Sequence, residues 1–430
     1  MNAPDTHPAT WPVPTLNARE GALWLEDLPL ADIAARFGTP TYVYSKAALE
    51  AAFGAWQQAL AGRRALVCYA VKANSNLGIL SVFARLGAGF DIVSGGELAR
   101  VLAAGGRADK VVFSGVGKTR AEMRQALEAG IRCFNVESAA ELEHLNAVAG
   151  ELGKRAPIAL RVNPDVDPKT HPYISTGLKG NKFGVAHERT VAVYRHAASL
   201  PGLRVVGIDC HIGSQITEAT PYLDATDRLL DLVQAIEAEG IPIHHIDFGG
   251  GLGIDYNGDT PPAADALWHQ LLAKLDARGF GQREFLIEPG RSLVGNAGLC
   301  VTEILYLKPG EEKNFCIVDA AMNDLPRPAM YQAFHAIVPL QPRSDCAATK
   351  YDIVGPVCES GDWLGRDRSL AVQQGDLLAV LSAGAYCMAM SSNYNTRGRA
   401  AEVLVDGTQA QLIRTRETAA DTFRNERLLP

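Results

Sequence analysis

The sequence predicts an α/β chain, a (β/α)8 TIM-type barrel followed by a β-rich C-terminal domain. Three observations carry this. Between residues 65 and 291, eight short apolar runs recur, most of them separated by stretches of helical periodicity. After residue 300 the runs are separated by Pro- and Gly-rich turns instead. The length of 430 residues exceeds an average single domain and suits a barrel plus one smaller domain.

The eight runs are 65–72, 87–94, 111–115, 133–137, 158–164, 205–214, 244–251 and 285–291. Continuous apolar character over a few residues is what parallel strands buried on both faces require. Between them, 119–130 opens on a cap residue and ends in glycine, and 138–149 places Glu141 three residues after Ser138 in a capping-box pattern. Residues 222–240 carry apolar positions at helical spacing. A doubly wound open sheet fits the same alternation and is the competing architecture. Five further runs, 314–319, 335–340, 351–357, 377–383 and 401–406, define the β-rich region. The expected domains are a flexible tail over 1–22, a segment over 23–45 that packs on the β-domain, the barrel over 46–298 and the β-domain over 299–430.

Composition narrows the function classes. A hydrophobic fraction of 47% with 21% charged residues is ordinary for a globular protein with a sizeable core. A net charge of −7 argues against nucleic acid or an anionic membrane as the principal partner. The eight cysteines form no CxxC pair and no Cys/His cluster at zinc spacing, so no metal is expected. Seven read as buried reduced thiols; Cys358, in a polar CESGD turn, reads as exposed. The first fifteen residues hold four prolines and no apolar run, unlike a signal peptide, and no segment is long and apolar enough to span a membrane. The expected location is cytoplasmic.

A barrel gathers its reactive groups at the carboxyl ends of its strands. Those ends carry Lys72, then Asp91, Ser94 and Glu97, Arg161 and Asn163, His211 and Ser214, Gly249 to Gly251, and Glu288 with Arg291. Lys72 closes a buried strand. It reads either as a lysine snorkelling to water or as an amine whose desolvation lowers its pKa and frees it for a Schiff base. The glycines of DFGGG (247–251) suit either tight turns or close approach of backbone N–H groups to an anion. Glu288 beside Arg291 suits an internal ion pair, or a carboxylate that keeps a pyridine nitrogen protonated. His211 is either structural or a ring that stacks on a ligand.

Taken together, nine strings resemble the pyridoxal-phosphate decarboxylases of the alanine-racemase fold, in particular the diaminopimelate decarboxylase family. They are YAVKAN (69–74), FDIVSGGEL (90–98), HPYISTGLKGNKFG (171–184), HIGSQ (211–215), DFGGGLG (247–253), EPGR (288–291), DAAMNDLPRPAMY (319–331), GPVCESGD (355–362) and GAYCMAM (384–390). The resemblance spans residues 23 to 425 and implies pyridoxal 5'-phosphate as cofactor. It implies that Lys72 carries the cofactor as a Schiff base, that Glu288 faces the pyridinium nitrogen and that His211 stacks on the ring. Ser214, Gly250, Gly251, Gly290, Arg291 and Tyr386 fall where the family contacts phosphate or substrate. Asp91 and Arg161 fall where it supports the lysine and the ring. Arg327 and Tyr331 resemble residues at the substrate's distal end, Glu359 a carboxylate contacting a substrate ammonium, and Cys358 a proton donor supplied to the neighbouring subunit of a homodimer. The implied reaction converts meso-2,6-diaminopimelate to L-lysine and CO2, the last step of lysine biosynthesis. Decarboxylation of ornithine, arginine or a carboxylated polyamine is the alternative on the same fold, and a racemase or a catalytically silent homologue are more distant ones.

Overall fold

The computed structural model describes residues 11–167, 170, 171, 174, 176 and 181–430. The chain divides into two compact units. One holds Ala52–Ile254 with Thr260–Leu293; the other holds the chain through Ala51, Asp255–Asp259 and Val294–Pro430.

In the first unit, eight parallel strands close into a barrel, so the open-sheet alternative is excluded. They are β1 (Ala65–Ala70), β2 (Gly89–Ile92), β3 (Val111–Phe113), β4 (Cys133–Val136), β5 (Ala156–Asn163), β6 (Leu203–Asp209), β7 (His245–Asp247) and β8 (Glu284–Ile287). The ring closes where β8 pairs with β1, setting Phe285 opposite Ala65 and Ile287 opposite Val67. Each expected run overlaps its strand, though the strands at Ala156, Leu203 and Glu284 begin one or two residues before their runs, and the strands stop earlier than the runs at 205–214, 244–251 and 285–291. There the glycines and polar residues leave the ladder and become loops.

Both faces of the ring are apolar. Cys68, Val112, Cys133, Ala159, Val206 and Leu286, from six different strands, form one core cluster. Towards the helices, Tyr69 packs its ring 4.4 Å from Phe83, and both are fully buried. Truncating such an aromatic costs about 3–5 kcal/mol. Helices follow the strands as the periodicity predicts, including Arg120–Ala129, Ala139–Glu151 and Thr220–Ala238. Thr119 and Glu122 form the full capping box. The Ser138 pattern is only half realised: Ser138 accepts from the Glu141 backbone, but the Glu141 carboxylate turns to the Glu137 N–H and to Lys118.

The second unit is built on the long strand Gly298–Lys308, which pairs with Thr41–Ser45, Phe315–Val318 and Leu377–Val380. Thr41–Ser45 also pairs in parallel with Ala401–Asp406. The expected tail over 1–22 needs correction in its described part. Leu16–Arg19 is a strand paired with Ala22–Leu25, because Val13, Leu16, Leu23 and Leu25 alternate into a core with Val301, Leu381 and Val403. Six cysteines are buried rather than seven; Cys346 is partly open and Cys358 is exposed. No described helix is long and apolar enough to cross a membrane.

Candidate active site

All eight barrel strands run parallel, so their carboxyl ends share one rim. After β1, a 3-10 turn, Val71–Ala73, presents Lys72, and the Tyr69 hydroxyl braces the turn by donating to the Asn74 carbonyl at 2.8 Å. Lys72 Nζ donates to Asp91 Oδ2 at 2.5 Å; Asp91 has no exposed surface, whereas 35% of the lysine side chain remains open. The ammonium is held by a carboxylate on β2 while staying reachable. Nearby on the rim, burial lifts the Glu97 carboxyl to about 7, although the Val93 N–H donating to it at 2.7 Å works the other way.

Glu288 follows β8 and is buried. Its Oε1 accepts from Asn135 Nδ2 at 3.3 Å and from Ser114 Oγ at 3.5 Å, groups supplied by β4 and the end of β3. Asp209 on β6 and Asp247 on β7 bring carboxylate oxygens within 4.8 Å of those of Glu288. Three like charges cannot all ionise in so enclosed a place. Burial, then the Asp247, Asp91 and Asp209 charges, push Glu288 well above the usual carboxylate range. Burial likewise raises Asp247 to about 6, opposed by the Gly249 N–H that donates to it at 2.9 Å.

Arg161 leaves β5 buried, 3.1 Å from Glu137 Oε1 and with its guanidinium 4.7 Å from the Phe183 ring centre. Burial alone would depress its pKa, but the Glu137, Asp209 and Glu288 carboxylates raise it. His211 is the reverse case: burial, with help from Arg161 and Lys72, holds its pKa well below the usual value. Its Nδ1 accepts from the Gly250 N–H at 3.0 Å, so the ring is a neutral imidazole locked in orientation. Gly249 and Gly251 adopt φ of +63° and +107°, and a Cβ on Gly250 would stand 2.1 Å from the Glu288 carbonyl oxygen. Gly290 is similarly tight, with Ala70 and Ala73 methyls 3.1 Å from where its Cβ would be. Arg291 donates to Ser214 Oγ at 3.0 Å. The barrel rim thus gathers Lys72, Asp91, Arg161, His211, Ser214, Gly250, Gly251, Glu288, Gly290 and Arg291.

The other unit carries the remaining candidates in two groups. Cys358 is exposed in a turn where Asp362 accepts from the Val357 N–H and from the Met322 N–H of another segment, both at 2.7 Å, and the Cys358 N–H donates to Asn395 Oδ1 at 3.1 Å. Next to it, Glu359 accepts from the Tyr394 hydroxyl at 2.6 Å. Arg327 and Tyr331 bound the short helix Arg327–Tyr331; Arg327 is buried with its Nη1 2.8 Å from His335 Nε2. Tyr386 sits at φ +58°, a left-handed conformation uncommon for tyrosine. Half of the motif 171–184 lies outside the described residues.

A buried acidic wall can do one kind of chemistry well. Asp91 Oδ1, Asp209 Oδ1, Asp247 Oδ2 and Asn135 Oδ1 are buried with no hydrogen-bond partner among the described residues. Acceptors left open beside a lysine suit a ligand with a protonated ring nitrogen, and the glycine arc beyond Arg291 suits an anion. Residues 46–295 match the pyridoxal-binding domain of the pyridoxal-dependent decarboxylases. The chain is 59% identical to diaminopimelate decarboxylase of Pseudomonas aeruginosa, covering 97% of this chain and 99% of that one. The Vibrio cholerae enzyme of the same name is 58% identical over 96% and 98% of the two chains.

The chain belongs to the diaminopimelate decarboxylase family.

Two solved structures of this family extend the likeness to the fold. The Helicobacter pylori diaminopimelate decarboxylase complexed with L-lysine superposes with a TM-score of 0.88 at 39% identity, covering 92% and 99% of the chains. The M. jannaschii diaminopimelate decarboxylase in complex with L-lysine gives 0.92 at 38% identity, covering 97% and 99%. As a member of the family, the chain is a pyridoxal-phosphate-dependent carboxy-lyase.

Several residues of this rim escaped the sequence reading. Asp209, Asp247 and Asn135 are polar groups within apolar strands, and that interruption was the available signal. Glu137 ends the run 133–137 as a carboxylate and gave the same signal; it accepts from Arg161 and from the Gly115 and Gly184 N–H groups. Ser114 had none.

Proposed function

We propose that this chain decarboxylates meso-2,6-diaminopimelate to L-lysine and CO2, closing lysine biosynthesis. The observation that carries the proposal is identity of 58–59% to two curated diaminopimelate decarboxylases across nearly the whole chain. The L-lysine bound in two solved relatives is the product that this reaction would release.

In this reading Lys72 attaches the cofactor, and Asp91 orients its amine and takes up its charge. Pyridoxal phosphate, when bound, supplies an electron sink for the bond to the departing carboxylate. Glu288 holds the proton balance at the ring nitrogen, and Asn135 and Ser114 hold Glu288. His211, fixed by the Gly250 N–H, would stack on the ring. Arg161, pinned by Glu137, keeps a positive charge among the three rim carboxylates. Ser214, Gly250, Gly251, Gly290, Arg291 and Tyr386 bind the phosphate or the substrate. Arg327, Tyr331 and Glu359 recognise the far end of the substrate, where a carboxylate and an ammonium remain after the reaction. Cys358 Sγ delivers the proton that replaces the lost carboxylate, from the partner subunit of a homodimer. Support for that role comes from its exposure, since the other cysteines are buried or half-buried.

The test is a substrate panel with the purified protein. Release of CO2 from meso-diaminopimelate with L-lysine as product is expected, and clear turnover of ornithine or arginine without that activity would overturn the proposal.

A further inference from the structure

Arg327 is 6% exposed, yet no Asp or Glu forms an ion pair with it among the described residues. Burying an unpaired guanidinium is costly, and such a charge persists where a ligand completes it. What holds Arg327 instead is a neutral bracket. Its Nη1 lies 2.8 Å from His335 Nε2, and its guanidinium carbon stands 4.5 Å from the centre of the Tyr256 ring. His335 has no exposed surface, and its Nδ1 is 2.8 Å from the Leu381 carbonyl oxygen. An arginine can only donate and a carbonyl can only accept, so His335 carries its proton on Nδ1 and presents a lone pair to Arg327. Tyr256 meets the His335 ring edge-to-face, centroids 5.4 Å apart at 78°, which closes the bracket. Leu381 is tied in turn through its N–H to the Ala336 carbonyl at 2.8 Å.

We propose that His335 and Tyr256 are positioning residues for substrate specificity: they hold the Arg327 guanidinium, uncompensated, at the angle that receives the substrate's distal carboxylate. A carboxylate in place of His335 would neutralise Arg327 and compete with the ligand. An apolar residue would let a long side chain wander. A neutral acceptor on one edge and an aromatic face leave the positive charge available while fixing its direction. The inference rests on the assignment of Arg327 to the distal end.

Ligand pairs separate the possibilities. L-Lysine keeps the distal carboxylate, whereas 1,5-diaminopentane lacks it and is otherwise the same. Calorimetric titration of both into cofactor-loaded enzyme would be run on Arg327→Gln, His335→Leu, His335→Gln and Tyr256→Leu, with cofactor absorbance and melting temperature as checks on folding. The expected result is that His335→Leu weakens L-lysine roughly 10- to 100-fold, the loss a misplaced binding group brings, and leaves 1,5-diaminopentane unchanged. His335→Gln should recover most of the affinity, because its amide oxygen can accept from Arg327. If His335→Leu does not fold, Tyr256→Leu must show the same selective loss. Loss of selectivity in Arg327→Gln but in neither His335→Leu nor Tyr256→Leu would overturn the positioning role. Equal effects of Arg327→Gln on both ligands would instead overturn the distal-carboxylate assignment, and the bracket's role with it.

Discussion

Lys72 Nζ donates to Asp91 Oδ2 at 2.5 Å, from a lysine that is one-third open to an aspartate with no exposed surface. The carboxylate is the enclosed partner and the amine the more open one, an arrangement that suits the cofactor attachment proposed for Lys72. Asp91→Asn keeps the shape and removes the charge. It should lower kcat/KM about tenfold or more, since the amine loses its orienting charge. Steady-state kinetics together with cofactor absorbance would check this, and an unchanged kcat/KM would remove Asp91 from the machinery.

Glu288 couples cofactor binding to pH. Burial and three neighbouring carboxylates raise its pKa, so a proton is held more tightly there than on a free carboxyl. A cationic ring nitrogen beside it favours the carboxylate and expels that proton. Binding that releases a proton strengthens as pH rises, the sign set by linkage. Calorimetry in buffers of different ionisation enthalpy should show greater proton release on cofactor binding in the native protein than in Glu288→Gln. The same variant should lose roughly 10²- to 10³-fold in kcat, the scale of removing one charge-stabilising group.

Gly250 is the tightest point of the glycine arc. A methyl there would sit 2.1 Å from the Glu288 carbonyl oxygen, backbone that cannot yield like a flexible side chain. Gly250→Ala should cost about 1–3 kcal/mol of stability, as overpacking does, and reduce cofactor occupancy. Chemical denaturation followed with and without cofactor would measure both.

Cys358 can be separated from cofactor binding. Cys358→Ala should retain cofactor absorbance and lose most decarboxylation. If the thiol serves the partner's site, mixing inactive Cys358→Ala with inactive Lys72→Ala should restore roughly a quarter of native activity through random pairing into dimers with one intact site. No recovery on mixing, with dimers demonstrably exchanged, would place the thiol's action within its own chain.

Much of this was legible in sequence because the fold repeats a simple rule. Parallel strands buried on both faces must be largely apolar, so a charged residue that breaks a run marks the rim: Lys72, Glu137 and Glu288 do so literally. The caps at Thr119 and Ser138 were local chemistry and fell where expected. The strand Leu16–Arg19 was missed because its alternation spans only four residues after a Pro-rich stretch, and several of its core partners, from Leu299 onward, lie almost 300 residues away or more. The bracket around Arg327 was illegible for the same reason. Tyr256, His335 and Leu381 have no shared local pattern, and only the folded sheet brings them together.

The most direct test of the whole account is borohydride reduction of the cofactor-loaded protein followed by peptide mass mapping. The account predicts a single reduced pyridoxyl adduct, carried on the Lys72 side chain and lost in Lys72→Ala. An adduct on another lysine, or none in a protein saturated with cofactor, would contradict it.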